Sequence, residues 1–145
     1  MKISIEEIGR EQEEEILIRC YELNDQILQI MSRLKSREDI VMGYQGSAIH
    51  RIALRNVYYF EAVDNKVFIY CHEQVYESRQ RLYEIEEMYG GGYFLRTSKA
   101  IVMNIKKIKY VSPALNGRFE ACLDNGEKQI ISRQYVNALK KKLMI

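Results

Sequence analysis

The side chains in this chain that could do chemistry are few and scattered. His50 lies in a strand-like run and His72 at a strand end, where each reads as structural or solvent-facing. Glu61 follows the apolar run "VYYF" and is the best candidate for a lone buried acid, or more plainly a hydrogen-bonded strand carboxylate. Cys20, Cys71 and Cys122 are odd in number, widely spaced and without a CxxC, so neither a disulfide framework nor a zinc site is expected. No GxSxG, HExxH, GxxxxGK[ST] or GxGxxG is present. The triple glycine Gly90-Gly91-Gly92 follows a helical pattern rather than a strand, so it reads as a helix stop in the left-handed conformation, not a phosphate cradle. Nothing here supports an enzyme, a cofactor or a small-molecule substrate.

The cations are better organised. Formal net charge is only +2, but it is lopsided: residues 1–43 carry −4, residues 44–95 carry −2, and residues 96–145 carry +8. Such a split implies an acidic face and a basic face, and the basic third suits a polyanion. A Lys-rich last helix explains only part of it, because Arg96, Lys99, Lys106, Lys107, Lys109 and Arg118 all precede that helix. Cations also recur at junctions between short β runs: Lys66, Arg96 and Lys99, and Arg133 at a helix start, where free backbone N–H groups favour phosphates.

The elements that must hold these residues are mostly strands. "KISI" and "EILIRCY" read as strands, with Ile16, Ile18 and Cys20 on one face. Asn24 and Asp25 cap "QILQIMSRLKS", whose Ile27, Ile30, Met31 and Leu34 fall at helical spacing. Residues 1–38 thus form an acidic β-β-α segment. From Asp39 the texture turns β-rich: "DIVMGYQ", "AIHRIALR", "VYYFEAV" and "KVFIYC", the last two parted by the hairpin signal Asp64-Asn65, then "QVY" as a further short strand. Ser78 is placed to cap "RQRLYEIEEMY". "FLRTSKAIVMN" follows, its apolar ends anchoring two strands around a polar loop at Arg96-Thr97-Ser98-Lys99. "KIKYVSP", "GRFEACL" and "EKQIIS" are separated by Asn116-Gly117 and Asp124-Asn125-Gly126, and Ser132 caps the last helix, "RQYVNALKKKL". The class is mainly β, α+β overall, without the strand–helix alternation of a doubly wound sheet. No apolar run approaches the ~18 residues of a membrane span, and no signal-peptide layout opens the chain, so a cytoplasmic protein is expected.

Residues 40 to 145 resemble the LytTR DNA-binding domain of bacterial transcription regulators. The family's Ile/Val-x-Tyr-Phe/Ile-Glu strand is matched by Val57, Tyr59, Phe60 and Glu61. Its Phe-x-Arg-x-(His/Ser)-(basic)-x-x-(Ile/Val)-x-Asn signature is matched by Phe94, Arg96, Ser98, Lys99, Val102 and Asn104. Its closing hairpin and helix are matched by Asn125, Gly126, Ser132, Arg133, Tyr135 and Lys140. Each piece alone is weak; together, in order, they are specific. Two departures bear on the target sequence: Ser98 stands where many members have histidine, and Ala100 where many have serine.

The resemblance implies an elongated fold of small antiparallel sheets with short helices at 39–145. It implies a response-regulator-like, sequence-specific transcription regulator whose loops enter successive major grooves of double-stranded DNA. Carried over, the base-reading positions are Asn65/Lys66, Lys99 and Arg133/Gln134, with Ser98 beside them; lysine or arginine can donate to guanine and glutamine can pair with adenine. Arg96, Lys106, Lys107 and Lys109 are expected at phosphates or as buried-end caps, with Arg96 equally suited to bracing the loop from inside. The ~40 residues before the module are too few for a receiver domain. This is similar to the stand-alone class, in which control is attributed to a membrane-protein partner or to expression level. The acidic N-terminal segment would then face away from DNA and form a homodimer or partner surface. The alternative is a protein-interaction or ligand-sensing β-domain that does not bind DNA.

Overall fold

The computed structural model describes residues 1–35 and 39–145. Ser36, at the end of the first expected helix, and the expected boundary at residue 38 lie outside the described residues. The chain divides into two compact units, Met1–Arg37 and Glu38–Ile145.

In the first unit the expected strands are absent: residues 1–24 hold no strand, and Cys20 is an exposed free cysteine. Alternation of apolar residues makes a strand only where another edge supplies hydrogen-bond partners. None does so here, and Ile3, Ile5, Ile16 and Leu17 are exposed. Among its described residues the one regular element is helix α1 (Asp25–Lys35). It is capped as expected, with the Asn24 side-chain oxygen accepting from the Ile27 amide at 3.0 Å.

The second unit is built from two antiparallel sheets. Strands β1 (Ile40–Gln45), β2 (Ala48–Ala53), β3 (Val57–Val63), β4 (Lys66–Cys71) and β5 (Val75–Ser78) are followed by helix α2 (Leu82–Tyr89), then β6 (Phe94–Ser98) and β7 (Ile101–Asn104). These seven strands lie in the order β2-β1-β5-β4-β3-β7-β6. Strands β8 (Ile108–Pro113), β9 (Phe119–Leu123) and β10 (Lys128–Ile131) form the second sheet, and helix α3 (Arg133–Leu143) closes the chain.

Strand β3 explains the layering. Its "VYYF" is buried at every position because both faces of the large sheet are covered. A bulge between Val57 and Tyr59 lets two successive tyrosines share one face. Phe60 and Val102 pack with Leu82 and Ile85 of α2 on one side. Tyr58, Tyr59, Ile101 and Met103 pack with Ala121, Leu123, Ile131 and the α3 residues Val136 and Leu139 on the other. Each fully buried Phe, Ile or Leu stabilises this sandwich by ~1.5–3 kcal/mol.

The turns follow the sequence closely. Asp64 and Asn65 both adopt positive φ (49° and 63°), as a primed hairpin turn between β3 and β4 requires. Three helix ends differ from expectation. Helix α2 begins after Arg81 rather than after Ser78, whose hydroxyl accepts from the Gln80 amide at 3.0 Å. Its start is fixed by Glu84, which reaches back to the Arg81 amide at 3.2 Å. Gly90 ends α2 in a right-handed conformation (φ −66°), and a side chain there would strike the Glu86 carbonyl. Ser132 does precede α3, but its side chain makes no cap bond.

Candidate nucleic-acid interface

The stretch Phe94–Asn104 is a β-hairpin tighter than its polarity suggests. Arg96, Thr97 and Ser98 belong to β6, and the turn proper is Lys99-Ala100. A bulge between Arg96 and Ser98 re-aims the end of β6. Thr97 is fully buried there, with no hydrogen-bond partner for its hydroxyl.

Arg96 holds the turn from inside. Its Nε donates to the Ser98 carbonyl at 2.9 Å, Nη2 donates to the Lys99 carbonyl, and Nη1 pairs with Glu86 of α2 at 3.1 Å. The Ser98 hydroxyl accepts from the Ala100 amide at 3.3 Å, a further local brace. Lys99 is left exposed at the tip. Asn104 secures the other end of β7: buried, it donates to the Val57 carbonyl at 2.9 Å and accepts from the Lys106 amide at 3.0 Å.

Register then sets three tips side by side. Glu61 of β3 lies opposite Ile101, and the Ala62 amide donates to the Ala100 carbonyl at 2.8 Å, so the β3–β4 tip runs past the flank of the Lys99 turn. On the other flank the Ser132 amide donates to the Thr97 carbonyl at 2.9 Å, which brings the first turn of α3 against the same hairpin. Asn65 and Lys66, then Lys99, then Arg133 and Gln134 thus line one edge, all exposed. The Arg133 stem passes over Gly117, where an added Cβ would lie 3.0 Å from Arg133 Cδ.

Lys106 and Lys107 are not part of this edge. They follow Asn104 at the far end of β7, about 13 Å of strand from its turn. Their ammonium groups sit over aromatic rings, Lys106 at 4.5 Å from Tyr93 and Lys107 at 4.9 Å from Tyr58. A hollow of about 500 Å³ opens at that end, lined by His50, His72, Cys71, Arg51 and Lys107. Burial pushes the Cys71 thiol up, away from reactive thiolate. Among the described residues no His/Cys/Asp/Glu group is placed to hold a metal ion. Glu61 accepts a hydrogen bond from the Tyr70 hydroxyl at 3.2 Å, an ordinary strand carboxylate.

Two phenols tie the second sheet to the first, and local sequence patterns could not reveal either. The Tyr58 hydroxyl donates to Asp124, and the Tyr59 hydroxyl donates to Glu127 Oε1 at 2.6 Å. Burial, then the hydrogen bond and charge of Asp124, push the Tyr58 pKa up to about 12. Tyr59 is raised for the same reasons by burial and Glu127. Both phenols are therefore reliable donors at neutral pH. Sequence reasoning also passed over Arg81, which it placed inside a helix; the structure sets it exposed at the start of α2, facing a groove shared with Asn65 and Lys66.

Comparison with known proteins supplies the context for this edge. The model of the LytTr DNA-binding domain matches residues 47–144. The sensory transduction protein LytT of Enterococcus faecalis is 30% identical over 95 residues, which is 66% of this chain and 39% of that protein. An uncharacterised HTH-type transcriptional regulator of Staphylococcus aureus is 26% identical over 147 residues, covering 100% of this chain and 99% of the relative. Among solved structures, the LytTr domain of a Bacillus cereus protein described as a methyl-accepting/DNA response regulator superposes with a TM-score of 0.70 at 24% identity, over 76% of this chain and 100% of that one. With two antiparallel sheets, short helices and a family match spanning most of its length, the chain belongs to the LytTR family and carries its DNA-binding domain.

Proposed function

We propose that this chain is a sequence-specific transcription regulator that reads double-stranded DNA with the three tips of its basic edge. The observation that carries the reading is the register that sets the Asn65/Lys66 turn, the Lys99 turn and the Arg133/Gln134 helix start along one side. Each is exposed, each projects from a packed element, and each bears a side chain able to read a base edge in the major groove. Lys99 is central, and Arg96 positions it. No helix-turn-helix lies among the described residues, since five strands separate α2 from α3; turns and a helix end take that role.

The acidic N-terminal unit is assigned to self-association rather than to DNA. Its exposed Ile3 and Ile5 alternate like strand residues that lack a partner edge, Ile16 and Leu17 are exposed as well, and its net negative charge repels DNA. A homodimer in the cytoplasm, without catalysis, is the form in which this regulator acts. Light scattering of the full chain at high concentration tests the dimer, and a persistent monomer would remove it.

A salt titration on duplex DNA tests DNA binding itself. Phosphate neutralisation makes log K fall linearly with log salt. Absence of any shift with promoter fragments at low salt would overturn the proposal in favour of a β-domain that binds protein or ligand.

A further inference from the structure

We propose that Arg81 and Lys66 form a seat for one DNA backbone phosphate, beside the base-reading turn at Asn65. The proposal rests on the DNA-binding reading above and extends it to a residue outside the family signature. A groove of about 670 Å³ opens at the basic edge between the β3–β4 hairpin and the start of α2. Three cations line it: Lys66, Arg81 and Arg96.

Their partners separate them. Arg96 is fully engaged with two turn carbonyls and Glu86. Arg81 has its backbone fixed instead: its amide donates to Glu84, and its carbonyl accepts from the Glu84 and Ile85 amides at 3.0 and 3.1 Å. Its guanidinium is left exposed on an anchored stem. Arg79, two residues earlier, is placed 4.0 Å over the Tyr44 ring and is not among the groove residues.

Lys66 reaches the groove from the opposite wall, at the first position of β4. Asp64 also lines the groove, so one carboxylate faces two uncommitted cations beyond the neutralised Arg96–Glu86 pair. A fork of guanidinium donors and an ammonium converging from two elements matches a phosphate group. The Tyr83 hydroxyl, on an exposed ring at the rim, is a further donor. Next to a turn that reads bases, the phosphate available is that of the DNA strand whose base Asn65 contacts, and the contact fixes register rather than sequence.

Arg81→Ala is compared with wild type on a selected duplex and a scrambled duplex across a salt series. The seat predicts a several-fold loss of affinity, equal for both duplexes, and a slope of log K against log salt smaller by about one. Arg81→Lys should retain the slope. Arg51→Ala, at the hollow on the far strand ends, should leave it unchanged and so controls for net charge. An unchanged slope and affinity for Arg81→Ala, with wild type binding normally, would overturn the seat and leave the DNA reading standing. Loss on the selected duplex alone would make Arg81 a base reader and also overturn it. Inorganic phosphate at fixed ionic strength should not displace DNA from wild type; displacement that disappears in Arg81→Ala would assign the groove to free phosphate. Wild type without salt-dependent DNA binding would remove both readings together.

Discussion

Arg96→Ala separates a residue that shapes the reading turn from one that touches DNA. The side chain is 22% exposed and makes two charge-assisted bonds to the Ser98 and Lys99 carbonyls, plus one ion pair to Glu86, itself 44% exposed. Hydrogen bonds from a charged donor are worth ~1.5–3 kcal/mol each. The Lys99 carbonyl belongs to an exposed residue that water can re-solvate, which favours the lower end. The half-exposed ion pair adds less than ~1 kcal/mol. Ordering of the turn therefore loses about 3–4 kcal/mol. If half of that must be recovered on binding, specific affinity falls ~10- to 30-fold, at 1.4 kcal/mol per factor of ten. Fluorescence anisotropy on selected and scrambled duplexes, each over a salt series, reads the outcome. A brace predicts loss on the selected site, little change on scrambled DNA and an unchanged salt slope. Arg96→Lys should behave like Arg96→Ala, since an ammonium cannot bridge both carbonyls and Glu86. Equal loss on both duplexes with a slope smaller by about one would refute the reasoning and make Arg96 a phosphate contact.

Three further outcomes follow from the same geometry. Asn104→Ala removes one buried and one part-buried hydrogen bond and strands the Val57 carbonyl, so chemical denaturation should show a loss of ~2–4 kcal/mol; a loss below ~1 kcal/mol would show that water replaces the side chain. Thr97→Val deletes a buried hydroxyl that has no partner, and the melting temperature should hold or rise, by up to ~1 kcal/mol of stability; a clear drop would reveal a hydrogen bond to that hydroxyl. Tyr58 and Tyr59 have folded pKa values above the unfolded value of 10.0, so their stabilisation is complete below pH 10 and is lost as pH rises through about 12 for Tyr58. Stability of wild type should fall over that window, Tyr58→Phe and Tyr59→Phe should each flatten the fall, and an unchanged profile in both would count against the cross-sheet ties.

Local signals in this chain are legible in its sequence, and pairings between distant segments are not. Asp64-Asn65 demanded positive φ and obtained it, because a two-residue turn is decided by its own residues. Phe94–Asn104 announced two buried strands around a polar turn, and only the turn's length was misjudged, since the bulge at Thr97 keeps Arg96 and Ser98 inside β6. "KISI" and "EILIRCY" failed for the converse reason: their alternation was sound, but a strand needs an edge to pair with. Ser78 lost the α2 start to Arg81 because Glu84 caps that amide instead. Lys106 and Lys107 follow the Lys99 turn closely in sequence, yet a strand of only four residues carries them to its other end. Glu86 as the partner of Arg96, and Asp124 and Glu127 as partners of two tyrosines, depend on tertiary packing that no spacing encodes.

Dimethyl sulfate protection on a duplex selected from a random pool tests the central claim most directly, because it reports guanine N7 in the major groove. Three tips on one edge, each able to donate to guanine N7, predict separated protected guanines on one face of the helix, with the cluster opposite Lys99 lost in Lys99→Ala while the flanking clusters remain. A single contiguous protected patch, or a pattern that Lys99→Ala leaves intact, would contradict reading by this edge.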